Sequence, residues 1–437
     1  MWRNWAGDQH CAPAAVERPG SSTEVSAAVQ RAAAAGRTIR AVGAGHSFSD
    51  VALSDGHLLH LDRMDRVLDV DRGSGLVRVE AGISIFALNE RLHGHGLALE
   101  NLGDIDRQSI AGAISTATHG TGARLRNISS QVAEVEMVLA DGSVRSCGED
   151  DAETLSAARV GLGALGILTA VTLRCVPAFN LHAVDTTAPL DAVLDRIDEL
   201  VDGNDHFEFF TFPHSPLALT RTNNRTDRPP VPATRARGWV DEVLLGEHVF
   251  RTLCATGRRI PAAIPRLNRL VSRAFGTTDR VERSYRIFAS PRHVRFTEME
   301  YAIPRESLVT AVRCVRELVQ SRRLPVNFPL EVRVVAPDDA FLSTAHERPT
   351  AYVAVHVFRG MEWRQYFRAV EEIMDDLGGR PHWGKRHFQT AETLRPRFPR
   401  WDDFQAVRAR LDPEGRFANR YTDRVLGRVD ARAPAAA

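Results

Sequence analysis

Two glycine-bearing segments constrain this chain more than any other feature. "RAVGAGHSFSD" (40–50) and "SIAGAISTATHGTG" (109–122) each set small residues where a backbone has to pass close to something. The first offers Gly-x-Gly after a strand, the opening of a dinucleotide fingerprint. Phe48 stands where the third glycine is needed, and the residues beyond it read as loop and strand rather than helix. A nicotinamide site of the doubly wound kind is therefore not expected. Adjacent amides in such a turn can still form an anion-binding nest. In the second segment Gly112, Gly120 and Gly122 let the backbone approach a ligand, and Ser115, Thr116 and Thr118 add hydroxyl donors. Two such loops flanking the strands of one small domain predict a cofactor with a pyrophosphate lying between them.

The rest of the composition narrows the class. A chain of 437 residues, 43% of them hydrophobic, can bury a large core and is long for one domain, so two closely associated domains are expected. Lys+Arg (56) and Asp+Glu (55) nearly cancel, which removes the electrostatic case for nucleic acid or an anionic membrane as main partner. Cys11, Cys147, Cys175, Cys254 and Cys314 are scattered, odd in number and never in a CxxC pair, which suits reduced thiols and argues against structural zinc. "MWRNWAGDQH" has no apolar signal region, and no apolar run approaches the roughly 20 residues a membrane span needs. A cytoplasmic protein follows, free or peripheral to a membrane, with no integral membrane segment; its oligomeric state is not readable.

An α+β pattern runs along the chain. "STEVSAAVQRAAAAG" (22–36) reads as a capped helix feeding the strand "TIRAVG", and short strands with "RGSG" and "DG" turns follow around the helix "SIFALNERLHGHGLAL". "GLGALGILTAVTLRCVP" closes a first domain at about residue 177. The second, 178–437, contains "TNNRTDRPPVPATRARG" (222–238), which reads as an exposed loop. It continues with the helix "SLVTAVRCVRELVQSRR", the strands "LEVRVVA" and "TAYVAVHVF", and the amphipathic helix "WRQYFRAVEEIMDDLGG". "ARAPAAA" reads as a disordered tail.

Four segments in this order resemble a known family: "RAVGAGHSFSD", "NLGDIDRQSIAGAISTATHGTG", "GLGALGILT" and "GRPHWGKRH". They are similar to the sugar-1,4-lactone oxidases and dehydrogenases, flavoenzymes of the vanillyl-alcohol-oxidase type, and the resemblance spans almost the whole chain. It implies an FAD domain of two small α+β subdomains (1–177, PCMH type). It also implies a cap on an antiparallel sheet flanked by helices (178–437), with the segment about 410–428 packing back on the FAD domain. The implied reaction is oxidation of L-gulono-, L-galactono- or D-arabinono-1,4-lactone at C2, with hydride passing to flavin N5 and an ascorbate-type product. Oxygen or a cytochrome c-type carrier would take the electrons.

The resemblance assigns residues. His46, from its loop alone as easily a polar turn residue, matches the histidine joined to the flavin 8α-methyl group; such a bond withdraws electron density and retains the cofactor. Ala41, Val42, Gly43, Ala44, Gly45 and Ser47 would line FAD with it. Gly103, Asp104, Ser109, Gly112, Ser115, Thr116, Thr118, His119, Gly166, Ile167 and Lys385 would complete that contact set. Glu331 and Arg333 share a strand face at i and i+2 within an apolar segment, so they are expected to be partly buried and paired. In the resembling enzymes this pair faces the flavin, Arg333 stabilising its anionic reduced form and Glu331 orienting Arg333 and binding substrate hydroxyls. Lys385 and His356 align with residues near the reacting carbon. Either could take the C2 hydroxyl proton. Asp104 and Phe358 are expected at the substrate, an aromatic wall that suits a flat lactone better than the open polyol of an alditol oxidase, the alternative enzyme. A protein that kept the fold without flavin is the non-enzymatic alternative. "HGHG" (93–96) lacks a third ligand at suitable spacing and reads as surface.

Overall fold

The computed structural model describes residues 1–231, 248–289 and 294–429. Ser21 opens the first helix, Ser22–Ala34, by accepting from the Glu24 amide at 3.2 Å, and Gly36 beyond its end takes a φ of +61°. The helix buries Val25, Ala28, Val29 and Ala32. A small parallel sheet, in the order Ala15–Glu17, His57–His60, Ile39–Val42, lies in this first part. Beside it is an antiparallel sheet of five strands in the order Val144–Cys147, Val132–Val138, Ile167–Arg174, Leu76–Glu80, Val67–Asp71.

The later part is built on one eight-stranded antiparallel sheet. Its order is Thr278–Arg283, Asn180–Pro189, Leu217–Thr226, His206–Thr211, Leu330–Val335, Thr350–Phe358, Phe296–Pro304, Arg380–Pro381. Alternation along its strands decides which side faces what. Leu330, Val332 and Val334, with Met299, Tyr301, Ile303, Val353 and Val355, pack into one core with the helices Leu308–Ser321 and Arg364–Asp376. The intervening residues on the opposite face include Glu208, Glu298, Glu300, Glu331, Arg333 and His356, all buried. Charges buried at that density have to satisfy one another.

The chain then returns to its beginning. Trp401, Phe404, Val407, Tyr421 and Val425 join the core formed by the five-stranded sheet. The Arg40 guanidinium, wholly buried, donates to the carbonyls of Val51, Leu162, Gly163 and Phe417, and Asn419 donates to those of Val51 (3.0 Å) and Leu53 (2.8 Å).

One expectation is corrected. Residues 222–226, read as loop, end a ten-residue strand, Leu217–Thr226. This strand is hydrogen-bonded on both edges, with Asn223 opposite Ala183 on one side and His206 on the other, and two-sided pairing outweighs the poor strand propensity of Asn223 and Asn224. Residues 232–238 of that segment, and the alanine-rich tail, lie outside the described residues. The five cysteines are free.

Candidate active site

The first glycine loop lines a cleft to which residues 2–61 and 108–168 both contribute. Ala41 to Ser47, Ser109, Gly112, Ser115, Thr116, Gly166 and Ile167 all line it, together with Trp2, Gln108, Leu162 and Gly163, which the sequence did not single out. Glycine is needed here for space. A Cβ on Gly43 would stand 2.2 Å from Ser109 Oγ, and Gly45, at φ +71°, would meet Trp2 Cζ2 at 2.8 Å. The amides of Ala44, Gly45, His46 and Ser47 donate to no acceptor among the described residues, which leaves a row of N–H groups open to an anion.

His46 is among the residues lining this cleft, its ring stacked on Trp5 with centroids 5.7 Å apart. Its Nδ1 is buried and has no hydrogen-bond partner. Burial, reinforced by Lys385 and Arg107, pushes the imidazole down to about 4, so it is neutral and carries a free nitrogen lone pair. An orphaned buried nitrogen beside a cradle that a Cβ would fill fits a flavin seated here.

The second cluster lies on the charged face of the cap sheet, where cross-strand register sets acids and bases in alternation. Asp185 is opposite Arg221, Arg221 opposite Glu208, Glu208 opposite Arg333, and Glu298 opposite His356. Arg221 lies 2.7 Å from Asp185 and 3.2 Å from Glu208. Arg333 Nε donates to Glu208 at 2.8 Å, while its Nη2 pairs with Glu331 and stands 3.6 Å from Asp104. Burial opposes the Arg333 charge, but Glu331, Glu208 and Asp104 outweigh it and hold the group well above its ordinary value. Glu331 is pushed toward its neutral form: burial raises its carboxyl to about 7 against the pull of Arg333.

His356 donates from Nδ1 to the Pro329 carbonyl at 3.1 Å. Its Nε2 faces Glu298 at 3.5 Å and Glu331 at 3.8 Å. Burial works against the imidazolium, yet the two carboxylates raise it. Lys385 Nζ stands 2.5 Å from the other oxygen of Glu298. Burial likewise opposes its charge, and Glu298 and Glu300 raise it overall. Phe358 is buried with Phe48, Phe296 and Phe328 in an aromatic group beside His356.

The four expected catalytic residues and Asp104 thus stand together; Gly103, Asp104, Thr118, His119 and Lys385 are not among the residues lining the glycine-loop cleft, though Lys385 and Asp104 are near enough for their charges to act on His46. His119 reaches across to the cap: Nε2 is 3.2 Å from Glu300, Nδ1 donates to the Gly120 carbonyl at 2.9 Å, and the ring stacks on Tyr352 at 3.5 Å. His382 closes a buried group with His119 and Glu300 whose ligand atoms lie within 4.8 Å. It is not a metal set, because His382 Nδ1 accepts from the Gly384 amide at 3.0 Å and its Nε2 therefore carries the proton. Glu298 and Glu300 are the residues that sequence reasoning missed. Their i, i+2 spacing in "FTEMEYAIP" is the signal that drew attention to Glu331 and Arg333.

Residues 171–425 match the D-arabinono-1,4-lactone oxidase family, and residues 13–148 match an FAD binding domain. The chain is 52% identical over 431 residues to the L-gulono-1,4-lactone dehydrogenase of Mycobacterium tuberculosis, a match covering 98% of this chain and 99% of that one. It is 32% identical over 433 residues to the L-gulonolactone oxidase of Bos taurus, with 97% and 98% covered. Among solved structures, a solvent-stable cholesterol oxidase aligns with a TM-score of 0.84 at 19% identity, over 98% of this chain and 97% of that one. That likeness is one of fold, the vanillyl-alcohol-oxidase type. No helix among the described residues is long and apolar enough to cross a membrane.

Proposed function

We infer the chemistry from one premise: the chain belongs to the D-arabinono-1,4-lactone oxidase family of FAD-dependent oxidoreductases. It oxidises an aldono-1,4-lactone at C2, of the L-gulono, L-galactono or D-arabinono type. The observation that carries the site assignment is the buried cluster of Glu331, Arg333, His356 and Lys385 on one sheet face. Bound FAD supplies the oxidant that accepts the C2 hydrogen with its electron pair. Everything else is the work of this chain's side chains.

Two cations and one base divide the polar tasks. Arg333, held charged by three carboxylates, offers a permanent positive charge where negative charge develops on reduction. Glu331 orients it and, at about 7, can hold or release a proton to a sugar hydroxyl. Lys385 starts from the high value of a lysine and is raised further, so it stays an ammonium and binds oxygen atoms rather than accepting protons. His356 starts near neutrality, and its Nδ1–H is fixed on Pro329. Its Nε2 is therefore the acceptor for the C2 hydroxyl proton. Phe358 and its aromatic neighbours wall the lactone ring.

His46 is the point of covalent attachment, through the flavin 8α-methyl group. Its support is the neutral, unpartnered Nδ1 beside the cleft. For the acceptor we favour a cytochrome c-type carrier, with weak reaction toward oxygen. A panel of aldonolactones and polyols, offered anaerobically while flavin bleaching is followed, tests the substrate class. Lactones are expected to reduce the flavin fast, and reduction by xylitol or sorbitol outpacing every lactone would replace this reading with that of a polyol oxidase.

A further inference from the structure

Two carboxylates and two phenylalanine rings enclose His356. The Phe296–Pro304 strand presents Glu298, whose Oε1 is 3.5 Å from Nε2. Glu331, with Arg333 paired to it, approaches at 3.8 Å from the strand on the other side. Phe296 and Phe328 close the remaining directions with ring centroids at 5.1 and 6.1 Å. Lys385 stands behind Glu298, on its second oxygen, Oε2, with Glu300 further along the same strand face acting on it too. One carboxylate thus touches both residues whose roles the reaction has to keep separate.

We propose that Glu298 is a positioning residue for the oxidation: one of its oxygens pins the Lys385 ammonium while the other fixes His356 Nε2 as sole acceptor of the substrate hydroxyl proton. The inference rests on the reading of His356 as the base. Bookkeeping is simple. As the C2 hydrogen departs with its electron pair, the O–H bond breaks, its electrons form the new C2=O bond, and the proton ends on Nε2. There it meets the ionised Glu298, which the Lys385 charge keeps from taking the proton away. Without that lysine the carboxylate would compete for the proton; without the carboxylate Lys385 would lose its anchor, and His356 would lose one of the two anions that favour its protonated form. Glu298 is accordingly held below the usual carboxylate range, burial being outweighed by Lys385 and His356.

The test is the pH dependence of anaerobic flavin reduction by L-gulono-1,4-lactone. Wild-type rates rise with pH through one limb, the loss of the proton from His356 Nε2, its midpoint displaced by the neighbouring charge of Glu331. Removing an anion this close lowers a histidine by about one unit or more. Glu298→Gln is therefore expected to move the limb to lower pH by about that much, at unchanged flavin content, and to raise KM through the released Lys385. Glu298→Asp, which draws the charge back by one methylene, moves the limb the same way by less, and stands as the test should the glutamine variant lose its flavin. His356→Gln abolishes the limb and slows reduction about 100-fold or more. An unmoved limb in the Glu298 variants, with His356→Gln still abolishing it, overturns the role of Glu298 and leaves the base in place. A limb that survives His356→Gln overturns the base assignment itself.

Discussion

Arg333 is the cation shared by the buried carboxylates of Glu331 and Glu208 and the half-buried one of Asp104, so Arg333→Ala perturbs both stability and rate. Its guanidinium pairs with Glu331, with Glu208 at 2.8 Å and with Asp104 at 3.6 Å. Glu208 keeps Arg221 at 3.2 Å, so the uncompensated charge falls chiefly on Glu331. Removing one partner of a buried pair costs about 3–5 kcal/mol, and the protein can relieve it only by protonating Glu331. That carboxyl already stands at about 7 against 4.5 unfolded. A carboxyl raised by folding binds its proton more tightly in the native state, so its contribution is present at low pH and lost as pH rises through that window. The variant is expected to extend the window upward and to melt progressively lower as pH increases past neutrality. For the reaction, a charge-assisted contact is worth about 1.5–3 kcal/mol, which at 1.36 kcal/mol per decade slows flavin reduction about 10- to 150-fold. Stopped-flow mixing with saturating lactone in the absence of oxygen, normalised to flavin absorbance, measures it. Unchanged single-turnover reduction in a variant of normal flavin content would refute the assignment.

Three further outcomes can be checked directly. Acid-precipitated protein is expected to retain its flavin on the polypeptide and His46→Ala to release it; flavin left in the wild-type supernatant would exclude the covalent bond. A Cβ on Gly103 would stand 3.1 Å from the His119 carbonyl and 3.3 Å from Thr118 Cγ2, so Gly103→Ala folds with a shift of a few tenths of an ångström. If Gly103 borders the flavin edge, that variant reduces normally but reoxidises more slowly in air, and wild-type reoxidation in air is itself expected to lag turnover with cytochrome c.

Local chemistry is legible in this sequence wherever one residue decides the outcome. Ser21 and Gly36 bracket the first helix as a hydroxyl cap and a glycine stop should, and the "DG" turn joins two strands paired in the register Val138 opposite Val144. Gly43 and Gly45 mark the cleft because no other side chain fits. Legibility fails where long-range pairing decides. The Thr-Asn-Asn run at 222–224 looks like loop to any local reading, and becomes strand only because neighbours from 180–189 and 206–211 bind both its edges.

The candidate site divides along the same line. "LEVR" attracts attention because opposite charges at i and i+2 suggest a buried pair, whereas "EMEY" sets like charges at that spacing and reads as a solvated face. Both segments use one rule: alternate residues, Leu330 and Val332 in one and Met299 and Tyr301 in the other, pack against helices, and those between them face the charged side. What makes Glu298 and Glu300 tolerable is the arrival of Lys385 and His119 from distant segments, which no local pattern announces. The alternation also ties the site to the fold. A one-residue slip of the Leu330–Val335 strand would turn Glu331 and Arg333 into the core now filled by Leu330, Val332 and Val334, leaving Glu208 with Arg221 alone and His356 without its second carboxylate. The register that buries the apolar face is therefore the register that assembles the charges, and a variant that disturbs one disturbs the other.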